Sequence, residues 1–175
     1  MTIHSPGRVW WRPVGAQERL YLGAATVFAV ATFLLMPIWH FTGSQNPVMR
    51  TFRVEPSSFE ARALAFIQQY KIGEESGIPV VDAPPGSDAY LIAKSWQWTP
   101  ILRLQRGQTY RLHISSLDID HGFSIVPINM NFMVIPGYEY VLEIKPTEAG
   151  TFSIICNEFC GIGHHLMIGK LIVVE

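Results

Sequence analysis

Residues 150–175 read GTFSIICNEFCGIGHHLMIGKLIVVE, and the fold is decided by what brackets the middle of this stretch. Phe152 and Ile154 alternate with Thr151 and Ser153, the period of a half-buried strand. Residues 168–174 form a second strand-like run. Between the two lie Cys156, Cys160, His164 and Met167: two thiols, an imidazole and a thioether within twelve residues. Soft sulfur donors with imidazole suit copper, above all where Cu(I) and Cu(II) must both be held. Gly161 and Gly163 allow the sharp turns that would bring these side chains to one point. A ligand loop pinned at both ends by strands keeps its geometry when the charge of a bound metal changes, which suits electron transfer.

Upstream the same period recurs. Tyr110, Leu112 and Ile114 alternate with Arg111, His113 and Ser115; Tyr140, Leu142 and Ile144 alternate with Val141 and Glu143. Turn signals separate the runs at Arg106-Gly107, at Pro136-Gly137 and from Pro146 to Gly150. Short strands at this spacing predict an antiparallel β-sandwich over residues 89–175. Tyr110, Tyr138, Tyr140 and Phe152 are its expected core aromatics. His121 lies between two strands in DIDHGFSI (118–125). One end of a sandwich can gather early and late elements, so His121 can complete the metal site. Asp118 and Asp120 flank it, either as acidic turn residues or orienting the ring from behind.

The run HGFSI (121–125), followed by CNEFCGIGHHLM (156–167), closely resembles the CuA domain of haem–copper oxidase subunit II. The family pattern is an early His, then C-x-E/Q-x-C-x3-H-x2-M and a short final strand. The resemblance covers residues 89–175 strongly and 1–60 by architecture, and it is closest to the B-type branch with one N-terminal helix. It implies a cupredoxin-like sandwich and two copper ions bridged by the sulfurs of Cys156 and Cys160. His121 and His164 would each bind one copper, with Met167 and the backbone carbonyl of Glu158 as weak axial ligands. In many relatives a Trp-rich run marks where electrons enter. Here it is KSWQWTP (94–100), leaving Trp96 and Trp98 for that role or for core packing.

Other metal chemistry fits less well. A structural zinc site would use two Cys and two His and leave Met167 idle, and its cysteines are usually two residues apart. A mononuclear blue-copper site needs one Cys. The C-x3-H spacing selects His164, so His165 is expected to point away. His113, His40 and His4 are read as a satisfied histidine, an interfacial residue and a tail residue. Phe159 suits either core or docking surface. With only two cysteines there is no disulfide framework, and copper loading would require both thiols reduced.

At the other end of the chain, residues 20–41 contain no Asp, Glu, Lys or Arg. About 20 apolar residues span a bilayer core, so one transmembrane helix is predicted here, a retained anchor rather than a cleaved leader. Arg8, Arg12 and Arg19 precede it, placing residues 1–19 in the cytoplasm and the C-terminal domain on the outer, periplasmic side of the cell membrane. Pro37 near its outer end is a possible kink. Residues 42–88 read as linker. Within them, residues 57–70 have helical spacing of Phe59, Ala63, Phe66 and Ile67, with Ser57 or Ser58 as N-cap. This helix would lie near the membrane, against a partner or on the domain's own core.

A net charge of −1 and pI of about 6.6 exclude the basic footprint of nucleic-acid binding. Residues 89–175 hold six Lys or Arg and seven Asp or Glu, so docking of a soluble donor should be mainly apolar and weakly salt-dependent. The resemblance implies a respiratory electron relay. A cytochrome c-like donor would reduce the copper pair, and haem in subunit I would receive the electron for oxygen reduction. The chain itself has no C-x-x-C-H haem motif. The CuA subunit of a nitric oxide reductase and an anchored copper carrier are the alternatives.

Overall fold

The computed structural model describes Ile3 and residues 13–43, 49–128 and 130–175. His4, Arg8 and Arg12 lie outside the described residues. The chain forms two compact units, Met1–Gln45 and Asn46–Glu175.

The first unit carries helix α1, Ala16–Thr42. At a rise of 1.5 Å per residue it is about 40 Å long. Among the described residues it is the one helix long and apolar enough to cross a membrane. It starts four residues before the apolar run because Ala16, Gln17, Glu18 and Arg19 are all good helix formers. None of its side chains is buried. The Thr32 and Thr42 hydroxyls donate back to the carbonyls of Phe28 and Ile38, so neither polar group is left unmatched in an apolar setting. The helix continues through Pro37 and ends at Gly43, whose N–H donates to the Trp39 carbonyl.

The second unit begins with β1, Met49–Arg53, and α2, Pro56–Tyr70. β2 (Lys71–Glu75), β3 (Ile78–Asp82), β4 (Asp88–Lys94), β5 (Gln97–Thr99) and β6 (Ile101–Gln105) follow. Next come β7 (Tyr110–Ser116), β8 (His121–Val126), β9 (Asn131–Val134), β10 (Tyr138–Ile144), β11 (Gly150–Ile155) and β12 (Ile168–Val174). Among the described residues these make a five-stranded sheet, β1-β10-β7-β4-β5, and a seven-stranded sheet, β2-β3-β6-β12-β11-β8-β9. The period-two positions face inward: Tyr110, Leu112 and Ile114 of β7, Tyr140 and Leu142 of β10 and Ile154 of β11 are buried. Tyr138, Ile144 and Phe152 pack half-buried against the same cluster. Each fully buried aliphatic or aromatic side chain contributes about 1.5–3 kcal/mol, so this core, with Leu91, Leu102, Leu104, Phe123 and Ile125, holds the sheets face to face.

The cupredoxin-like sandwich is thus present, but it is not wholly antiparallel. β4 runs parallel to β7, and β6 runs parallel to both β3 and β12. The chain leaves the five-stranded sheet after β5, lays β6 in the other sheet and returns as β7, so β4 and β7 point the same way. Alternation reveals which face a residue occupies, not the direction of its neighbour strand.

The described part of residues 42–88 is not linker. β1, β2 and β3 pair into the two sheets, and β4 begins at Asp88. These strands lack clean alternation because they sit at or near sheet edges, β1 being exposed at every residue. In α2 the four buried side chains are Phe59, Ala63, Phe66 and Ile67. Its N-cap is Glu55, not Ser57 or Ser58, because Pro56 takes the first helical position, where a missing N–H costs nothing. Of its expected locations, α2 occupies the domain's own surface: the rings of Phe59 and Phe66 lie 5.9 and 5.6 Å from that of Tyr90 on β4. A polar network fastens it further. Arg62 donates to both oxygens of Glu139 at 3.1 and 2.6 Å, and Glu139 is only 6% exposed. His113 lies between Glu139 at 2.6 Å and Asp88 at 3.1 Å.

Candidate metal centre

Two loops converge at one end of the sandwich. The first joins β7 to β8 and delivers His121 as the first residue of β8, fully buried. The second joins β11 to β12 and carries residues 156–167. It is closed by the Cys156 N–H on the Met167 carbonyl at 3.2 Å and by a 3-10 turn at His164–Leu166. Gly161, at φ +108°, supplies a left-handed backbone step that a residue with a Cβ rarely takes.

The donor atoms face one another. Sγ of Cys156 and Sγ of Cys160 are 3.5 Å apart. That is far beyond the roughly 2.05 Å of a disulfide, and both thiols are free. His121 Nδ1 lies 4.0 Å from the Cys156 sulfur, and His164 Nδ1 lies 3.6 Å from the Cys160 sulfur. The Met167 thioether is 3.9 Å from the Cys160 sulfur, and the Glu158 carbonyl is 3.3 Å from the Cys156 sulfur. Metal–sulfur bonds of about 2.3 Å and metal–nitrogen bonds of about 2.0 Å put two donors on one ion up to about 4.3 Å apart. The spacing therefore suits soft metal ions between the thiols and the two imidazoles.

Asp118 orients the histidine. It accepts from His121 Nε2 at 2.9 Å, so the tautomer leaves the Nδ1 lone pair aimed at the cradle. Asp118 in turn accepts from the backbone N–H of Ser95 and of Ile119, each at 2.8 Å. Burial alone would raise its carboxyl, but the hydrogen bonds from Ser95, His121 and Ile119 outweigh that and hold it well below the usual carboxylate range. Burial pushes the Cys160 thiol up to about 11, and the adjoining Cys156 adds to the push. Without a cation Cys160 thus favours the neutral thiol form, and a metal must displace its proton to bind.

The structure brings together His121, Cys156, Cys160, His164, Met167 and the Glu158 carbonyl. His165, next in chain to His164, is exposed. The two tryptophans part company. Trp98 is 1% exposed and packs edge-on against Phe123 and His121, whereas Trp96 is 40% exposed and its indole N–H donates to the Cys160 carbonyl at 2.9 Å. Around this rim Phe159 (83% exposed), Ile162 (89%) and Leu166 present apolar side chains to solvent, so Phe159 belongs to the surface and not the core. Sequence reasoning missed the contacts of Ser95 and Trp96 with the site. Their only signal was a polar–aromatic pair in a tight turn, which carries no metal signature.

Fold and site define a cupredoxin-like domain with a sulfur- and imidazole-lined candidate metal cradle, on a chain that, among the described residues, also bears one apolar helix long enough to cross a membrane. No protein-family profile matches the chain. A cytochrome c oxidase subunit 2 of Thermus thermophilus is 31% identical over 135 residues, covering 77% of this chain and 95% of the relative. A probable cytochrome c oxidase subunit 2 of Streptomyces coelicolor is 40% identical over 76 residues, 43% of this chain; the match spans only 24% of that relative's length. A chain from a cryo-EM structure of a heme-copper terminal oxidase dimer superposes with a TM-score of 0.57 at 25% identity, covering 90% of this chain and 99% of that one. This chain belongs to the cytochrome c oxidase subunit 2 family.

Proposed function

We propose that the chain is the electron-accepting copper subunit of a membrane-bound haem–copper oxidase. The single observation that carries this reading is the convergence of six soft or neutral donors within 3.3–4.0 Å of a neighbouring thiol. The donor set fits a pair of copper ions, which Cys156, Cys160, His121, His164, Met167 and the Glu158 carbonyl would hold. When bound, copper supplies reversible uptake of one electron at little geometric change. Asp118 fixes the His121 ring, and β11 and β12 pin the ligand loop at both ends, which keeps reorganisation small. The burial of both thiols keeps bulk water off the sulfurs and argues against an exchangeable copper carrier. The exposed rim of Trp96, Phe159, Ile162 and Leu166 supplies an apolar face for a cytochrome c-like donor. α1 would anchor the chain with its N-terminus in the cytoplasm and the sandwich outside, beside a haem-bearing subunit I that reduces oxygen.

The test is rapid mixing of the native membrane complex with a reduced soluble cytochrome c under anaerobic conditions. The copper absorption should bleach before haem reduction, and His164→Ala should abolish both phases. Haem reduction at wild-type rates in that variant would overturn the proposal.

A further inference from the structure

We propose that the turn between β4 and β5 is a two-armed brace for the ligand cradle, with Trp96 the positioning residue of its second arm. The first arm runs from the Ser95 N–H to Asp118 Oδ2 at 2.8 Å and from Asp118 Oδ1 to His121 Nε2 at 2.9 Å. The second runs from the very next residue: Trp96 Nε1–H donates to the Cys160 carbonyl at 2.9 Å. Two neighbouring residues of one turn therefore hold both elements that bring ligands to the site. β4 and β5 belong to the five-stranded sheet, while the ligand loop springs from the seven-stranded one. The brace ties the two sheets together at the metal end.

The Trp96 ring also covers the loop. A Cβ at Gly163 would come within 2.3–2.7 Å of three indole carbons, and one at Gly161 within 3.4–3.8 Å of indole atoms. The absence of side chains at 161 and 163 is thus what lets the indole lie flat enough on the loop to reach the Cys160 carbonyl. That hydrogen bond fixes the Cys160–Gly161 peptide plane, and so the direction in which the Cys160 sulfur points. Trp98, two residues on, enters the core against Phe123 and His121. Alternate tryptophans therefore anchor the hairpin from inside and clamp the loop from outside. Core packing explains Trp98 but not a half-exposed indole whose one polar atom meets a ligand's carbonyl.

The decisive measurement is amide hydrogen exchange on the full, copper-free chain in detergent micelles, comparing wild type with Trp96→Phe, Trp96→Ala and the neighbouring β5 control Gln97→Ala. Phe keeps a ring over the glycines but has no N–H. Residues 157–166 should exchange about tenfold faster in Trp96→Phe, the order expected for losing one partly buried hydrogen bond, and faster still in Trp96→Ala. Residues 110–116 should be unchanged, as should every region of Gln97→Ala. A second readout, which rests on the proposed function, uses the copper-loaded chains. Copper loss to a chelator should accelerate about tenfold in Trp96→Phe, with altered hyperfine splitting in the paramagnetic spectrum. Wild-type exchange of residues 157–166 in Trp96→Phe overturns the brace, as does faster exchange with unchanged copper release and spectrum. If Trp96→Ala loosens throughout, the Phe variant decides. Failure of the wild type to bind copper would sink the function but leave the exchange result to judge the brace.

Discussion

Replacing Gly122 by alanine should damage the metal centre far more than the fold. Gly122 follows His121 on β8, and its Cα faces the ligand loop. An added Cβ would stand 2.3 Å from Asn157 Oδ1, 2.7 Å from the Glu158 backbone nitrogen and 2.9 Å from Glu158 Cγ. The two side-chain atoms can rotate away; the backbone nitrogen cannot. Restoring an ordinary contact of about 3.4 Å or more requires β8 and the loop to separate by roughly 0.7 Å. The two segments pushed apart are the ones that carry His121 and Cys156, whose donor atoms are 4.0 Å apart. Metal–ligand distances tolerate about ±0.2 Å, so His121 should cease to be a good ligand. Overpacking costs about 1–3 kcal/mol of stability, leaving the sandwich folded. Copper affinity should fall about 10- to 100-fold or more, the range seen when a ligand loses its support. Competition titration of the detergent-solubilised chain against a chelator, with melting followed by circular dichroism, separates the two effects. Wild-type affinity and spectrum in Gly122→Ala would refute the reasoning.

Arg62→Ala should destabilise the domain by roughly 1–2 kcal/mol, less than the ~3–5 kcal/mol of a fully buried broken pair, because Arg62 is itself partly exposed. Burial works to raise the Glu139 carboxyl, but hydrogen bonds from Arg62 and His113 hold it below its ordinary value. The stability it contributes is present above the ordinary carboxylate range and is lost as pH falls through the lowered value. Without Arg62, acid unfolding followed by tryptophan fluorescence should begin at higher pH than in wild type; coincident curves would contradict this. Asp118→Ala removes the acceptor that fixes the His121 ring and should weaken copper binding about 10- to 100-fold, with unchanged affinity the opposing result. His165→Ala should leave metal content and spectrum intact while His164→Ala changes both, and the reverse pattern would move the ligand assignment to the neighbouring histidine.

The residues of the candidate site were legible because chemistry of that kind is local. Cys156, Cys160, His164 and Met167 announce themselves by spacing, and the strands on either side by alternation. α2 was legible from Phe59, Ala63, Phe66 and Ile67, since helical period marks the buried face whatever it packs against. What it packs against was not legible, because the partner, Tyr90 on β4, is joined to it only through space. The same holds for β1, β2 and β3, whose positions at or next to a sheet edge give no repeating burial. It holds also for the parallel pairings, which depend on the path of the chain between sheets. Asp118 could be seen beside His121 but its task could not: a carboxylate in a turn and one that orients a ligand look alike until the Ser95 and His121 contacts are known. Arg62, His113 and Glu139 are separated by long stretches of chain, so their network had no signature in sequence.

The central claim is that two thiols of one loop and an imidazole from each side hold a pair of metal ions that share one electron. Metal analysis of the purified, reconstituted chain combined with paramagnetic resonance tests it directly. Two coppers per chain are expected and, in the oxidised form, a hyperfine pattern with more lines than one copper nucleus can produce. One copper per chain with a single-nucleus pattern, or zinc in its place, would contradict it.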